Sequence, residues 1–250
     1  MNNRGHALVT GAIGGLGTAI TKRLIAAGIP VIATDRRAED IDPWIDENLT
    51  LEERAKFTFY PLDVTKEDQI ATLSEKLKDQ GIHIAYLINN AGIQAHAEPW
   101  EMDSKSWHRV MAVNSDATFY MTRAFCKAMV DQGFGRVVNF ASMYAYHPGE
   151  GQSPYAAAKA AITGYTRSVA SDLAKHGVTV NVIAPGIIWH ERLRGILPDE
   201  VFDSMVAKVP AERAGKPEEI AGTVAFFCSE ESSYVTGQTL HVNGGLYLPG

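Results

Sequence analysis

A tyrosine and a lysine four residues apart give the first sign of chemistry in this sequence. Tyr155 and Lys159 lie in the segment S-P-Y-A-A-A-K, where we expect a helix with Ser153 as its N-cap and Pro154 as its first residue. Side chains at this spacing share one face of a helix, so the phenol and the ammonium should point into the same space. A neighbouring positive charge lowers the pKa of a tyrosine from its usual value of about 10. The pair therefore predicts a general acid and base, although an ordinary helix surface can carry the same pattern.

A glycine-rich turn near the N-terminus predicts a dinucleotide site. The apolar residues 7–9 are typical of a buried parallel strand, and we expect a helix over residues 18–27. A strand, a glycine turn and a helix N-terminus direct backbone N–H groups at a pyrophosphate. The spacing here is G-x-x-x-G-x-G and not the commoner G-x-G-x-x-G. The residues assigned to this turn are Gly11, Ile13, Gly15, Leu16 and Gly17.

The strand expected over residues 30–34 ends in Asp35, which bears on the choice of cofactor. A carboxylate about 20 residues beyond the glycine turn is placed to accept hydrogen bonds from the adenosine ribose, and it would repel a 2′-phosphate. Arg36 and Arg37 follow immediately, and an arginine can instead hold that phosphate. We therefore expect NAD as the cofactor, with NADP as the alternative.

Two later segments should contribute to the same site, because ligands of doubly wound sheets bind outside the carboxyl ends of the strands. The first follows a strand expected over residues 57–62 and the second a strand expected over residues 84–88. Their cofactor-binding candidates are Asp63, Val64, Asn90, Ala91 and Gly92, and a later strand is expected over residues 178–183.

The order of the predicted elements indicates the fold class. We expect the acidic stretch 39–53, which contains Trp44, to form a helix or an ordered loop with a solvated charged face. Further helices are expected over 70–79, 104–131 and 218–228, and further strands over 136–140 and 239–242. Alternating strands and helices predict the α/β class: a single-domain, Rossmann-type, doubly wound parallel sheet with helices on both faces. Residues 1–250 should form one dinucleotide-binding and catalytic domain.

Composition excludes several classes of function. A net charge of −6 and an isoelectric point of about 5.8 argue against a nucleic-acid partner. Cys126 and Cys228 lie in apolar stretches and are expected to be buried, reduced thiols. The eight histidines are dispersed and no Cys/His cluster has metal-ligand spacing, so we expect no metal. No signal region or membrane-spanning segment is evident, which predicts a cytoplasmic protein without a membrane partner.

Taken together, the motifs resemble those of the short-chain dehydrogenase/reductase family over essentially the whole chain. The resemblance is carried by T-G-A-I-G-G-L-G, L-D-V, N-N-A-G, V-N-S-D, Y-A-A-A-K and N-V-I-A-P-G. The ending T-G-Q-T-L-H-V-N-G-G-L-Y is similar to that of bacterial 3-oxoacyl-thioester reductases within the family.

This resemblance implies roles for four residues. Tyr155 would be the catalytic acid/base, and Ser142 would hydrogen-bond the reacting oxygen. Lys159 would hold the nicotinamide ribose, and Asn114 would hold a water that links Lys159 to solvent. The resemblance also implies a homotetramer, with one interface along the long helix and the Tyr155 helix and another at the last helix and strand. The resemblance further implies that Pro185, Gly186 and Ile188 bind the cofactor on its nicotinamide side. In one departure, His190 stands where the family usually has a threonine beside the nicotinamide carboxamide.

Substrate specificity should come from loops at the same sheet edge, over residues 94–100, 143–152 and about 187–205. The candidate substrate residues are Gln94, Ser142, Tyr144, Gln152, His190 and Arg192. Aromatic and hydrogen-bonding groups are mixed among them, as a polyhydroxylated or anionic substrate requires. Arg192 and Arg194 could each pair with a carboxylate or phosphate, although solvated lid residues would look the same.

Three functions compete on this sequence. The first is NAD-dependent oxidation of a small polar secondary alcohol, such as a sugar or a hydroxy acid. The alternative is reduction of a 3-oxoacyl thioester of acyl-carrier protein or coenzyme A. The third is a dinucleotide sensor that performs no chemistry, and the set Ser142, Tyr155 and Lys159 argues against it because a sensor needs no acid/base.

Overall fold

A seven-stranded, all-parallel sheet forms the centre of the protein. The computed structural model describes residues 4–190 and 198–249. Along the sheet the strands follow the order β3-β2-β1-β4-β5-β6-β7. Their bounds are β1 His6–Thr10, β2 Val31–Asp35, β3 Phe57–Pro61, β4 Ile84–Asn89, β5 Gly135–Phe140, β6 Val178–Pro185 and β7 Thr239–Val242. The order reverses between β1 and β4, which is where such sheets bind ligands.

Helices cover both faces of this sheet, which confirms the predicted α/β, doubly wound, Rossmann-type architecture. Their bounds are α1 Gly15–Ala26, α2 Ile41–Asn48, α3 Leu51–Arg54, α4 Glu67–Asp79, α5 Ser104–Met111, α6 Ala117–Gln132, α7 Ser153–Leu173, α8 Asp199–Val206 and α9 Pro217–Phe227.

Two hydrophobic layers hold the helices to the sheet. Side chains alternate between the faces of a strand, so neighbouring residues of β1 enter different layers. Val9 packs in the layer that contains Leu24 of α1 and Val224 of α9. Leu8 packs in the opposite layer, with Met121 of α6. A strand buried on both sides needs an unbroken apolar run, which is why the strands are recognisable in the sequence.

The long helix expected over residues 104–131 is confirmed in its span, but it contains a π-helical turn, Ala112–Asp116, between α5 and α6, which the sequence did not predict. Asn114 lies in this turn and is buried. Its side-chain amide donates to the backbone oxygens of Ile93 and Val110, each at 2.8 Å. The extra residue of a π turn changes the direction of the side chains beyond it, and such turns are common at functional sites. Here it places Asn114 against the segment that follows β4.

The expected N-cap of α7 is also wrong by one position. The helix begins at Ser153, and Gln152 occupies the cap without a side-chain hydrogen bond. The backbone explains the shift, since the Ala156 N–H donates to the Gln152 oxygen at 2.8 Å and thereby starts the helical pattern one residue early. Pro154 still lies in the first turn, where its missing N–H costs nothing.

The acidic stretch after β2 forms helices, as predicted, and Trp44 attaches it to the core. The Trp44 indole N–H donates to Thr18 Oγ1 at 2.9 Å. Its ring stacks on Phe57 of β3, with 5.3 Å between the centroids. One buried aromatic residue therefore holds a segment whose charged side chains face solvent.

The two cysteines are free, but only Cys228 is buried; Cys126 is half-buried, which corrects the expectation for that residue. Within residues 4–190 and 198–249, no helix is long and apolar enough to cross a membrane. In the same ranges no three His, Cys, Asp or Glu residues are grouped so that they could hold a metal ion.

Two histidines lie together, His6 at the start of β1 and His83 just before β4, at the end of the sheet away from the glycine turn. From this pair we predict a loss of stability in acid. Burial lowers the pKa of His6 and of His83, and the proximity of His6 lowers that of His83 further. In the unfolded chain both imidazoles titrate at a pKa of about 6.5. The stability that their neutral forms contribute is therefore complete above that pH, and it is lost as the pH drops from there through the lower pKa values of the folded state. We expect a lower urea midpoint at about pH 5.5 than at about pH 7.5. The double variant His6→Asn, His83→Asn should show a smaller difference, and an unchanged difference would contradict the assignment.

Candidate active site

The glycine turn between β1 and α1 has no room for a side chain at Gly11 or Gly17. A Cβ on Gly17 would lie 2.0 Å from the Gly11 carbonyl oxygen. Gly11 has a left-handed φ of 63°, and a Cβ there would lie 3.2 Å from Ala91 Cα. The backbone therefore approaches both α1 and the segment after β4 too closely for any other residue at these positions. The first N–H groups of a helix have no partner within it, which leaves those of α1 available to an anion.

Hydrogen bonds tie this turn to the end of β4. The Asn90 side-chain amide donates to the backbone oxygens of Thr10 and Gly11, at 3.0 and 3.2 Å. In return, the Ala91 N–H donates to Thr10 Oγ1 at 3.0 Å. The predicted cofactor residues on β1 and β4 therefore lie together. Thr10 was not predicted, and its position at the end of a strand beside the glycines was the available signal.

Asp35 lies at the end of β2, as expected, but its carboxylate is already paired. The Arg37 guanidinium binds it in a bidentate fashion, with Nε 3.0 Å from Oδ1 and Nη2 2.9 Å from Oδ2. This hydrogen bonding with Asp35 raises the pKa of Arg37 above its usual value. Arg36 is exposed. The carboxylate that the sequence indicated as the ribose acceptor is thus part of an ion pair. The sequence shows that Arg37 is two residues away, but it does not reveal this contact.

Asp63 and Val64 follow β3 at the same edge of the sheet. Asp63 Oδ1 accepts hydrogen bonds from the Thr65 N–H at 3.0 Å and from the Thr65 hydroxyl at 2.7 Å. Val64 is buried. In the glycine turn Ile13 is buried as well, and Leu16 packs against the core from a half-buried position. The Asp63 carboxylate therefore stabilises the turn that follows β3. Val64, Ile13 and Leu16 pack beneath the backbone around the site.

Tyr155 lies at the centre of the residues predicted to be catalytic. Ser142, after β5, and Gln94, after β4, lie close enough to its phenol to influence its pKa. Burial raises the pKa of Tyr155 above its ordinary value, and these two side chains offset only part of that effect. The pKa of Tyr155 is therefore raised where the sequence predicted a lowering, because removal from water disfavours the charged phenolate.

Lys159 is buried beneath Tyr155, and burial shifts its pKa as well. Its Nζ donates to the Phe140 backbone oxygen at 2.7 Å and lies 5.5 Å from the centroid of the Tyr155 ring. Burial lowers the pKa of Lys159 to about 7. The amine therefore loses its full charge near neutral pH and becomes a group that can exchange a proton in that range.

Asn114 and Gly92 complete this cluster from the other side. The Asn114 side-chain oxygen is buried and has no hydrogen-bond partner among the residues that the structure describes. A Cβ on Gly92 would lie 2.7 Å from that oxygen and 3.4 Å from Lys159 Nζ. Gly92 therefore leaves open a small space that both polar groups border.

Two residues of the predicted substrate set lie near the start of the helix that carries Tyr155, namely Tyr144 and Gln152. The Tyr144 ring meets the Tyr155 ring edge-on, with 6.3 Å between the centroids, and burial raises the pKa of Tyr144. Gln152 caps the helix that carries Tyr155. Its side-chain oxygen is buried, again without a partner in the described part of the chain.

The residues after β6 lie on the cofactor side of the site. The Gly186 N–H donates to the Val242 oxygen at 2.9 Å, and Pro185 ends β6. Ile188 is buried and pairs with Gly215 in an isolated bridge. His190 contacts the glycine turn, since a Cβ on Gly15 would lie 2.7 Å from its Cγ. The structure thus places His190 beside the cofactor turn, whereas the sequence assigned it to the substrate; Arg192 and Arg194 lie outside the described residues.

A strand-edge site with a glycine turn and a buried tyrosine–lysine pair defines a dinucleotide-dependent oxidoreductase of the Rossmann class. A family model described as enoyl-(acyl carrier protein) reductase matches residues 11–247. The chain belongs to this family, within the short-chain dehydrogenases/reductases that its motifs resemble, and it is an enzyme that uses a nicotinamide dinucleotide.

Individual relatives point to two activities. The 3-oxoacyl-(acyl-carrier-protein) reductase FabG of Haemophilus influenzae is 37% identical over 97% of this chain and 98% of its own length. The protein of the same name from Escherichia coli is 37% identical over 99% of this chain and 100% of its own. A crystal structure from Agrobacterium tumefaciens, described provisionally as a gluconate dehydrogenase, has a TM-score of 0.92 and 32% identity and covers 98% of this chain and 96% of its own.

The space beside Gly92 yields a prediction. In Gly92→Ala the new methyl group would displace the Asn114 oxygen and crowd Lys159, so we expect kcat to fall roughly 10- to 100-fold. A near-native melting temperature should accompany this loss. Gly222→Ala is the matched control, because a Cβ there meets nothing within 4 Å. Wild-type kcat in Gly92→Ala would show that this space has no role in catalysis.

Proposed function

We propose that this enzyme oxidises a small polyhydroxylated or hydroxy-acid secondary alcohol to the corresponding ketone, with NAD as the preferred cofactor. The observation that carries the proposal is the Tyr155 phenol, close to Ser142 and Gln94 and with the Lys159 amine 5.5 Å from its ring centroid, a lysine whose pKa is about 7. The polar groups around it suit hydroxyl-bearing substrates better than aliphatic ones.

The glycine turn supports binding of the dinucleotide. Gly11, Gly15 and Gly17 would receive the pyrophosphate, because their missing side chains leave the backbone open. Asp35 would receive the adenosine ribose, and Lys159 the nicotinamide ribose. We assign the remaining contacts to Ile13, Leu16, Arg36, Asp63, Val64, Asn90, Ala91, Gly92, Tyr155, Pro185, Gly186 and Ile188. When bound, the nicotinamide ring would accept the hydride.

The side chains of the protein would manage the proton. Ser142 would donate a hydrogen bond to the reacting oxygen and hold it against the phenol. Tyr155 would remove the hydroxyl proton as the hydride leaves, acting as general base. The proton would then pass by way of Lys159 towards the space beside Asn114, whose side-chain oxygen has no partner among the described residues and can accept a hydrogen bond from a water.

Reduction of a 3-oxoacyl thioester is the second candidate. It is favoured by the curated FabG relatives, which are 37% identical over nearly the whole chain. A screen of gluconate, other sugars and hydroxy acids against acetoacetyl-coenzyme A, each with both cofactors, separates the two activities. Higher kcat/KM for the thioester with NADPH would replace the first proposal with the second. One catalytic domain over residues 1–250 and a cytoplasmic location remain predictions in either case.

Replacing Tyr155 tests the assignment of the acid/base. We expect Tyr155→Phe to lower kcat by roughly 10²–10⁴-fold, because the ring remains and only the proton-transferring hydroxyl is lost. Binding of NADH, followed by its fluorescence, should stay close to that of the wild type. Retention of more than about a tenth of wild-type kcat would assign proton transfer to another group.

The ion pair at the end of β2 tests the choice of cofactor. We expect a higher kcat/KM with NAD than with NADP, and Asp35→Ala should narrow or reverse the preference. Arg37→Ala should widen it, because that change removes a cation and frees the carboxylate. Equal kcat/KM for both cofactors in the wild type would mean that Arg36 and Arg37 offset Asp35.

A homotetramer is also proposed, and it can be tested directly. Phe119 of α6 is 40% exposed and meets Tyr165 of α7 edge-on, while Leu240 of β7 is 42% exposed. These positions lie at the two interfaces that the family resemblance implies. Sedimentation at micromolar concentration should give four times the chain mass of 27.2 kDa. Phe119→Asp should give a smaller species, and a monomeric wild type would refute the assembly.

A further inference from the structure

A ladder of side-chain hydrogen bonds runs through the π turn and into the buried face of α6. The Asn114 amide donates to the Val110 oxygen at 2.8 Å. The Thr118 hydroxyl donates to the Asn114 backbone oxygen at 2.8 Å, and the Thr122 hydroxyl donates to the Thr118 oxygen at 2.7 Å. Each side chain thus reaches the carbonyl four residues before it, and hydroxyls that bond back in this way often bend a helix. The two threonines therefore support the backbone that presents Asn114.

The ladder is joined to the sheet at Thr122. The side-chain amide of Asn89, at the end of β4, donates to Thr122 Oγ1 at 3.3 Å and to Asn139 Oδ1 at 2.8 Å. Asn139 lies beside Asn89 on β5, and its own amide donates to Thr166 Oγ1 of α7 at 2.9 Å. Hydrogen bonds therefore connect the π turn, by way of two strands, with the helix that carries Lys159.

All residues of this polar chain are buried, and they are Asn89, Thr118, Thr122, Asn139 and Thr166. Valine has nearly the shape of threonine and would bring no polar group that needs a partner. Packing alone therefore does not require a hydroxyl at the three threonine positions. Hydrogen bonds are stronger away from water, so a buried network tends to hold its members in one arrangement. Here that arrangement includes the π turn and α7.

We propose that the polar chain positions Asn114 relative to Lys159 and so keeps the route of the proton intact. A Cβ on Gly92 would lie 2.7 Å from the Asn114 side-chain oxygen and 3.4 Å from Lys159 Nζ, so both groups border one small space. They come from different helical segments, and the polar chain is attached to both. Its members are positioning residues, because they act through Asn114 and not on the substrate. The inference rests on the proposed proton transfer through Lys159, and it applies to alcohol oxidation and thioester reduction alike.

The first test removes hydroxyl groups from the polar chain. Thr118→Val and Thr122→Val keep the shape of the side chain, and we expect kcat to fall roughly 3- to 30-fold because a displaced group slows transfer. KM for the cofactor should stay close to that of the wild type. The assay is gluconate with NAD, or acetoacetyl-coenzyme A with NADPH if the screen favours the thioester. Thr122→Ser retains the hydroxyl and should restore most of kcat.

Thr179→Val is the matched control for these variants. Thr179 is a buried threonine of β6, and its hydroxyl has no partner among the described residues. The same substitution there should leave kcat at the wild-type value. Thr166→Val, at the far end of the polar chain, gives an independent variant in case a valine in α6 prevents folding, and it too should lower kcat.

A double-mutant cycle separates positioning from a general effect on stability. If the polar chain acts through Asn114, Thr122→Val should cost much less kcat in the Asn114→Ala background than in the wild type. The solvent isotope effect on kcat should also be larger in Thr122→Val than in the wild type, because proton transfer then limits more of the turnover. A role in stability alone would lower the melting temperature and leave the isotope effect unchanged.

The outcomes separate this inference from the proton route on which it rests. If Asn114→Ala lowers kcat while the folded threonine variants keep wild-type kcat, the positioning inference is overturned and the route stands. Equal losses from Thr122→Val in both backgrounds overturn it as well. If Asn114→Ala itself keeps wild-type kcat, the proposed route fails, and the inference fails with it.

Discussion

The burial of one lysine constrains the rest of this site. The Lys159 amine is removed from water and donates a hydrogen bond to the Phe140 backbone oxygen at 2.7 Å. Burial lowers its pKa to about 7. A charged ammonium group removed from water needs more than one hydrogen-bond acceptor, and the Phe140 oxygen supplies only one. The π turn that brings Asn114 close and the bare Gly92 that leaves space beside it both fit this need. The cofactor ribose and an exchangeable water are the partners that we propose complete it.

The parallel sheet brings these groups together because its strands all end at one edge. The glycine turn follows β1, Asp35 ends β2, Asn90 follows β4 and Ser142 follows β5. No two of these are adjacent in sequence, yet the Asn90 amide is hydrogen-bonded to the Gly11 oxygen. The same geometry permits contacts that tune the site, such as the Arg37 guanidinium on Asp35 and the His190 ring on Gly15. We propose that cofactor choice in this chain depends on these two contacts as well as on the Asp35 carboxylate.

Family membership and pocket chemistry answer different questions. The FabG relatives and the enoyl-(acyl carrier protein) reductase family model establish the fold and the class of enzyme. A shared fold does not determine the substrate, which depends on the side chains around the reacting centre. In this chain the segments that carry Gln94 and Gln152 are joined by the hydrogen bond from the Ala97 N–H to the Gly151 oxygen.

The sequence by itself determined the fold class, the family and the positions of Tyr155 and Lys159, because apolar strand runs, glycine spacing and a helical repeat are local patterns. It misjudged features that depend on distant neighbours. The pKa of Tyr155 moves upward because tertiary packing buries it, and the helix over 104–131 contains a π turn where Asn114 finds acceptors on Ile93 and Val110. The pairing of Asp35 with Arg37 and the unpartnered Gln152 oxygen were likewise decided only in three dimensions. Burial and hydrogen-bond satisfaction are properties of the packed chain, and no local pattern encodes them.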